Sequence, residues 1–170
     1  MNAVPKVFDA DRAPSLRDAM RLAAGGVSVV TAGEGDERTG LTVTSAVSLS
    51  IDPPTMIVCV GRNASALPVI ARRRHFCVNV LAAEHETIAR RFAGGAMGAA
   101  RYDGAEWRPR LTGALALEGA LAAIDCEVEE MIERHSHVIV IGAVRSVAVR
   151  HGSPLVYHQG RYRELSGGVT

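Results

Sequence analysis

The sequence predicts a mainly β domain whose strands close, or nearly close, into an antiparallel barrel. Three observations carry this. About seven short segments have strand character, rich in β-branched residues or alternating apolar with polar. Most of them are joined by turns, which favours antiparallel pairing. Only three stretches have helical periodicity, and all three are short. A closed barrel leaves no exposed sheet edge, so it is the economical arrangement for such a set.

The elements follow in order. Residues 1–13 are polar and read as a loose arm, ahead of a single domain over residues 14–166. Pro14 and Ser15 open a helix with Leu16, Ala19, Met20 and Ala23 on one stripe, and Gly25-Gly26 ends it. Val27 to Thr31 is a β-branched strand, and Gly33 to Arg38 is a charged hairpin turn. Gly40 to Ser50 reads as one strand carrying the small hydroxyls of Thr42, Thr44, Ser45, Ser48 and Ser50. Asp52-Pro53-Pro54 then stops it before the apolar strand Met56 to Val60.

Asn63 is placed to cap a second helix whose inner face is Leu67, Ile70 and Ala71. His75 to Leu81 is a strand, and residues 84–93 are a third helix with Ile88, Ala89 and Phe92 inward. Gly94 to Trp107 is a Gly/Ala-rich loop with room for a helical turn; loops of that length are often functional. From residue 122 on, everything is strand. Ala122, Ile124, Cys126 and Val128 form one face, with Asp125, Glu127 and Glu129 on an acidic outer face. Val138 to Ile141 is a central strand, Gly142 marks a bulge, and Val144 to Val149 continues it. Leu155 to Tyr157 and a last segment near Tyr162 close the chain around the turn at Gln159-Gly160.

The chain has 170 residues, 48% hydrophobic and 22% charged, with a net charge of +1. A charge that small gives no broad electrostatic basis for binding nucleic acid or an anionic membrane. Cys59, Cys77 and Cys126 stand far apart in apolar runs and read as small buried hydrophobes of a reducing compartment. There is neither a charged-then-apolar leader nor a run of about 18 apolar residues, so a soluble, cytoplasmic protein is expected.

Several chemistries lack their motifs. Gly25-Gly26 follows a helix and does not open a dinucleotide fingerprint. No Walker loop, nucleophile elbow or Cys-x-x-Cys is present. His135 and His137 share a strand face, yet no carboxylate or cysteine at ligand spacing joins them, so no metal is expected. Asn63-Ala64-Ser65-Ala66 is different, because it starts a helix directly after a buried strand. The amides of such a turn suit a phosphate, and plain capping is the other reading. Arg90-Arg91 is a candidate counter-charge. The hydroxyl-rich segment is either a half-exposed strand or a surface that hydrogen-bonds a flat polar ligand.

These segments together resemble the short flavin reductases, the FMN-binding split-barrel family. The resemblance rests on Gly40 to Ser45, Asp52-Pro53-Pro54, Asn63-Ala64-Ser65, Phe76 to Leu81, Arg91-Phe92, Leu115 to Cys126, and Pro154 to His158 with Gly160-Arg161-Tyr162. It implies a six-stranded antiparallel Greek-key barrel with a few short peripheral helices, forming a homodimer. It implies FMN, or alternatively FAD, as the flavin, and NADH or NADPH as hydride donor. On this chain Thr42, Val43, Thr44, Ser45 and Ala46 would line the isoalloxazine ring, with Cys59 and Val60 as the adjacent wall. Asn63, Ser65 and Ala66 would hold the ribityl phosphate, with Arg90 or Arg91 balancing its charge. The family often has threonine where Ala66 stands. His135-Ser136-His137 occupies the place of a Gly-Asp-His segment tied to nicotinamide binding, and His137 alone matches it, as the residue that places the nicotinamide.

The implied activity is an NAD(P)H:flavin oxidoreductase that passes hydride to flavin N5 and supplies reduced flavin to a partner monooxygenase. Two alternatives share the resemblance. One keeps its flavin and reduces another acceptor, such as the cobalt of a corrin in cobalamin synthesis. The other is a non-enzymatic flavin or haem sensor. Aromatic residues are only 4% of the chain, which predicts a ring not clamped between aromatic faces and a flavin that leaves once reduced.

Overall fold

The computed structural model describes residues 13–165; the expected arm over residues 1–13 falls almost wholly outside them. The elements run α1 (Leu16–Met20), β1 (Gly25–Gly26), β2 (Ser28–Ala32), β3 (Thr39–Val43), β4 (Val47–Ile51) and β5 (Pro54–Gly61). They continue with α2 (Ala66–Arg73), β6 (His75–Val80), α3 (Glu86–Arg90), β7 (Trp107–Pro109) and β8 (Leu115–Leu117). The last four are β9 (Ala122–Arg134), β10 (His137–Val149), β11 (Leu155–His158) and β12 (Arg161–Glu164).

Seven strands form the main sheet in the order β3-β2-β6-β9-β10-β5-β4, with every neighbouring pair antiparallel. Its two edges, β3 and β4, are consecutive in the chain. Only Thr44, Ser45 and Ala46 separate them, and the four residue steps from Val43 to Val47 span at most about 14 Å. The sheet must therefore curl until its edges meet. Counted as one kinked strand, β3 and β4 give a six-stranded barrel. The single strand expected over Gly40 to Ser50 is thus corrected to two halves, one pairing with β2 and the other with β5. A kink there lets one segment serve both edges, and its pivot becomes the barrel seam.

The barrel core is aliphatic. Val30, Val58, Val60, Phe76 and Val78 are fully buried, Val140 almost so, and Ile70 of α2 packs on them from one end. Each such side chain contributes roughly 1.5–3 kcal/mol on burial. At Gly142 the β9–β10 ladder shifts register, as the glycine predicted. A Cβ there would lie 2.6 Å from the Phe76 ring, so the glycine lets Phe76 fill the middle of the barrel.

Outside the barrel, the β7–β8 hairpin covers the face of β6 and β9 that carries Cys77 and Ala123. The acidic outer face expected for β9 holds at Glu127 and Glu129, which are exposed, and is corrected at Asp125. Asp125 is fully buried and accepts hydrogen bonds from the Thr112 amide (3.0 Å) and hydroxyl (2.6 Å). Burial, followed by the Asp125 charge, pushes the Cys126 thiol up to about 12, so it is an inert packing group. Asn79, also fully buried, receives the Leu117 amide at 2.8 Å and donates to the Val29 carbonyl at 3.1 Å. Asn79→Ala strands the Leu117 amide and is expected to cost about 2–3 kcal/mol, read as a lowered urea midpoint at unchanged slope.

Ser15 caps α1 through a capping box with Asp18, as its position predicted. The stripe of α1 differs from expectation, because Leu16 and Met20 are 79% and 59% exposed while Asp18 is buried. The box turns Asp18 inward, and the apolar stripe faces out. β1, β11 and β12 form a separate three-stranded sheet beside the seam. The β11–β12 turn has positive φ at both Gln159 and Gly160, the geometry of a tight two-residue hairpin. No helix among the described residues is long and apolar enough to cross a membrane.

Candidate functional site at the barrel seam

The seam is where the predicted site residues gather. Thr44, Ser45 and Ala46 lie between the two ladders, in register with neither β2 nor β5. Ser45 bridges the seam, donating its hydroxyl to the Cys59 carbonyl at 3.1 Å. Thr42 donates to the Ala89 carbonyl at 2.6 Å, which ties β3 to α3. Thr44 is exposed, and its side chain packs where a Cβ on Gly25 would sit. Thr42, Val43 and Thr44 line a cavity of about 250 Å³ together with Ala93, Tyr157 and Tyr162. Val43 borders this cavity and packs into the core with its remaining surface. Val60 belongs to the core instead, fully buried among the barrel valines, whereas Cys59 is half-buried.

Beyond β5 the chain turns at Gly61–Ala64 and enters α2. Asn63 does not cap this helix; it stands exposed in the turn, and Ser65 holds the N-cap position. Ser65 is itself already helical in backbone conformation and makes no capping bond. Among the described residues no acceptor meets the Ser65 or Ala66 amide, and Pro68 has no amide to offer. The exposed Ser65 therefore presents its N–H at the positive end of the helix, whereas Ala66 is fully buried, amide included.

The cation at this junction is Arg101. Its Nη1 lies 3.0 Å from Ser65 Oγ, 3.2 Å from Thr39 Oγ1 and 2.8 Å from the Gly40 carbonyl, while Nε holds the Ala96 carbonyl at 3.0 Å. Arg90 and Arg91 are committed elsewhere. Arg90 pairs with Glu86 at 2.6 Å and lies over the Tyr162 ring, and Arg91 donates to the Ala100 carbonyl. Arg101 sits in the 3-10 turn Gly98–Tyr102, inside the loop that has no periodicity. That turn is pinned by Tyr102, which packs against Phe92 and Trp107 and donates to the Thr39 carbonyl at 2.7 Å. Burial pushes the Tyr102 hydroxyl far above its usual value, so it remains a donor.

His137 opens β10 in register with Gly61, at the mouth of the same junction. It is exposed, with Nδ1 2.9 Å from Ser136 Oγ. His135 stands in the preceding turn at φ +48°. No group of three or more His, Cys, Asp or Glu that could hold a metal is found among the described residues.

An antiparallel barrel closed through a kinked strand, with an anion-type helix terminus beside the kink, is a split-barrel protein. Residues 20–166 match the model of the flavin reductase like domain. The chain is 40% identical over 158 residues to the FMN reductase (NADH) RutF 2 of Methylorubrum extorquens, covering 92% of each protein. It superposes with a TM-score of 0.84 at 29% identity on the Streptomyces globisporus NADH:FAD oxidoreductase solved with NAD and FAD fragments, covering 91% of this chain and 93% of that one. The flavin reductase component of a bacterial two-component tryptophan halogenase gives a TM-score of 0.82 at 32% identity, covering 90% and 98%. The chain belongs to the flavin reductase family.

Proposed function

We propose that this chain is an NAD(P)H:flavin oxidoreductase that binds FMN across the barrel seam and releases it reduced to a separate monooxygenase. The observation that carries the reading is Arg101 held on Ser65 at the uncapped start of α2, next to the Thr44–Ala46 break. Those groups fit the flavin's phosphate: the Ser65 amide and hydroxyl and the Arg101 guanidinium stand together at the positive end of a helix. The break supplies backbone polar groups outside both ladders, suited to a ring edge rich in donors and acceptors. When bound, the flavin supplies the two-electron acceptor for the donor's hydride. The protein's part is to hold the two rings in contact and keep water from the reacting face.

Within this reading each residue has a defined task. Ser65 and Arg101 hold the phosphate, and Asn63 borders it. Thr44, Ser45 and Ala46 meet the ring edge, and Cys59 borders it from β5. His137, one residue step from the junction, positions the nicotinamide. Neighbours named as the flavin reductase component of a two-component tryptophan halogenase and as a styrene monooxygenase flavin reductase support the delivery of reduced flavin to a partner. A second copy of the chain is expected alongside.

The direct test mixes the protein with NADH or NADPH and excess FMN and follows absorbance at the nicotinamide band. Steady oxidation by one donor is expected; none with either would end the reductase reading. Turnover that appears only with a corrin would favour retention of the flavin. Thr44→Val with Ser45→Val is expected to weaken FMN at least about tenfold, two polar contacts at roughly 1 kcal/mol each. Unchanged FMN affinity in fluorescence titration would move the ring away from the seam.

A further inference from the structure

We propose that a cleft across the barrel from the seam is a separate anion site, which takes a small molecule through its phosphate or carboxylate oxygens. It stands independently of the reductase reading. The cleft lies on β6, β9 and β10, the middle strands of a sheet whose edges meet at the seam. It forms where the β7–β8 cover stops. Cys77 and Asp125 face each other across the β6–β9 ladder beneath that cover; two residues further along, His75 faces Glu127. There Thr112 at the hairpin tip, Arg73 and Arg74 at the end of α2, and Arg145 of β10 complete a space of about 440 Å³. That volume is within the range of small-molecule sites.

Three of these side chains are set in place by unusual local structure. Arg145 is the extra residue of a β-bulge: Val144 pairs with Cys126 and Ser146 with Asp125, and Arg145 has no opposite number. A bulge re-aims a side chain, here onto Glu127, which accepts from Nε at 2.8 Å. Arg74 is left-handed, at φ +57°, and its Nη2 is fixed by the Val128 and Glu129 carbonyls at 2.9 and 3.0 Å. His75 is only 6% exposed, and its Nε2 accepts from the Gly33 amide at 3.3 Å. The ring proton therefore sits on Nδ1. That N–H meets no acceptor among the described residues, and it is not sealed off from the cleft that His75 lines. A buried donor facing open space without a partner is a place for a ligand oxygen.

The charge balance selects an anion. Three arginines against one glutamate leave the lining with two net positive charges. The C-terminal end of α2 opposes them with about half a negative charge, too little to reverse the sign. Arg73 gives Nε and Nη2 to Glu37, and Arg145 gives the same pair to Glu127. Nη1 of Arg73, Arg74 and Arg145 has no partner among the described residues, so every guanidinium keeps donors for a further oxyanion. Leu111, exposed at the rim, offers a surface for the carbon part of such a molecule.

Isothermal titration at constant ionic strength, with excess FMN present to fill the seam, tests the cleft with two probes, inorganic phosphate and succinate. At least one should bind. Arg73→Gln with Arg145→Gln should weaken it at least about tenfold, because two charge-assisted contacts are lost. Arg108→Gln, which breaks an exposed pair with Glu118 outside the cleft, should leave it unchanged. Tighter binding of phosphate assigns the cleft to a phosphorylated molecule, and tighter binding of succinate to a carboxylate. A second readout needs no variant. In protein labelled with 15N-histidine, the His75 Nδ1 resonance should move as the probe saturates, and that of His85, outside the cleft, should not. Binding by neither probe, equal affinity in wild type and double variant, or an unmoved His75 resonance overturns the proposal.

Discussion

Ser65→Asp is expected to lower FMN affinity at least a hundredfold and to leave riboflavin affinity nearly unchanged. Two charges about 4 Å apart near a protein surface repel by up to about 4 kcal/mol, and a phosphate carries more than one. A loss of 2.8 kcal/mol is already a hundredfold. The new carboxylate would also draw Arg101 away, since Nη1 already sits 3.0 Å from Ser65 Oγ. The fold should tolerate the change. Aspartate is a favoured N-cap and interacts well with a helix N-terminus, so α2 should hold or gain stability. Riboflavin is the internal control because it has the same ring and no phosphate. Fluorescence quenching titrations with both flavins measure the pair. An equal loss for the two would mean the substitution had disturbed the seam, and no loss for either would place the phosphate elsewhere.

The second large effect concerns stability. Gly142→Val is expected to cost about 3 kcal/mol and to lower the thermal midpoint by roughly 10 °C. Its Cβ alone would stand 2.6 and 2.7 Å from two Phe76 ring atoms and 3.0 Å from Cys126 Cβ. Phe76 is fully buried and has nowhere to retreat. Combining Gly142→Val with Phe76→Leu should restore part of the loss, because the two side chains compete for one volume. Gly26→Ala is the matched control: nothing lies within 4 Å of its Cβ and its φ is not positive, so its midpoint should stay close to wild type. Calorimetric scans of the three variants decide this. If Gly142→Val matched Gly26→Ala, the packing of Phe76 against the β9–β10 bulge would be wrong.

What the chain displays locally was readable from it. Strand-type runs, the turn at Gln159-Gly160, the bulge at Gly142 and the helix start near Ser65 each carry a short-range signal in residue type or spacing. The kink was hidden because Gly40 to Ser50 keeps strand composition through it; only the choice of two different partners, β2 and β5, breaks the segment. Asp125 looked solvated because alternation reports on one sheet face, and the β7–β8 hairpin that buries the other comes from residues without a strong pattern. Arg101 was the largest omission. It lies in a Gly/Ala-rich loop, and its contact with Ser65 spans 36 positions. Arg90 and Arg91 drew notice by adjacency alone, yet the turn from α3 aims them at Glu86, Tyr162 and Ala100. One signal could have pointed to Arg101: Tyr102 and Trp107, two of the chain's few aromatics, mark that loop as packed down on the barrel.

The kink between Val43 and Val47 has a consequence for how the protein behaves without its ligand. Every other stave of the barrel is clasped along its length by two neighbours, but here the hoop closes through three residues and one side-chain bond, Ser45 to Cys59. A molecule that touches both Thr44–Ala46 and the turn after β5 fastens that clasp from outside. Its binding energy then adds to the energy of closure, so the occupied barrel is the more durable form by an amount that grows with ligand concentration. A protein that hands its flavin to a partner would loosen its own clasp at each delivery, and regain it with the next flavin.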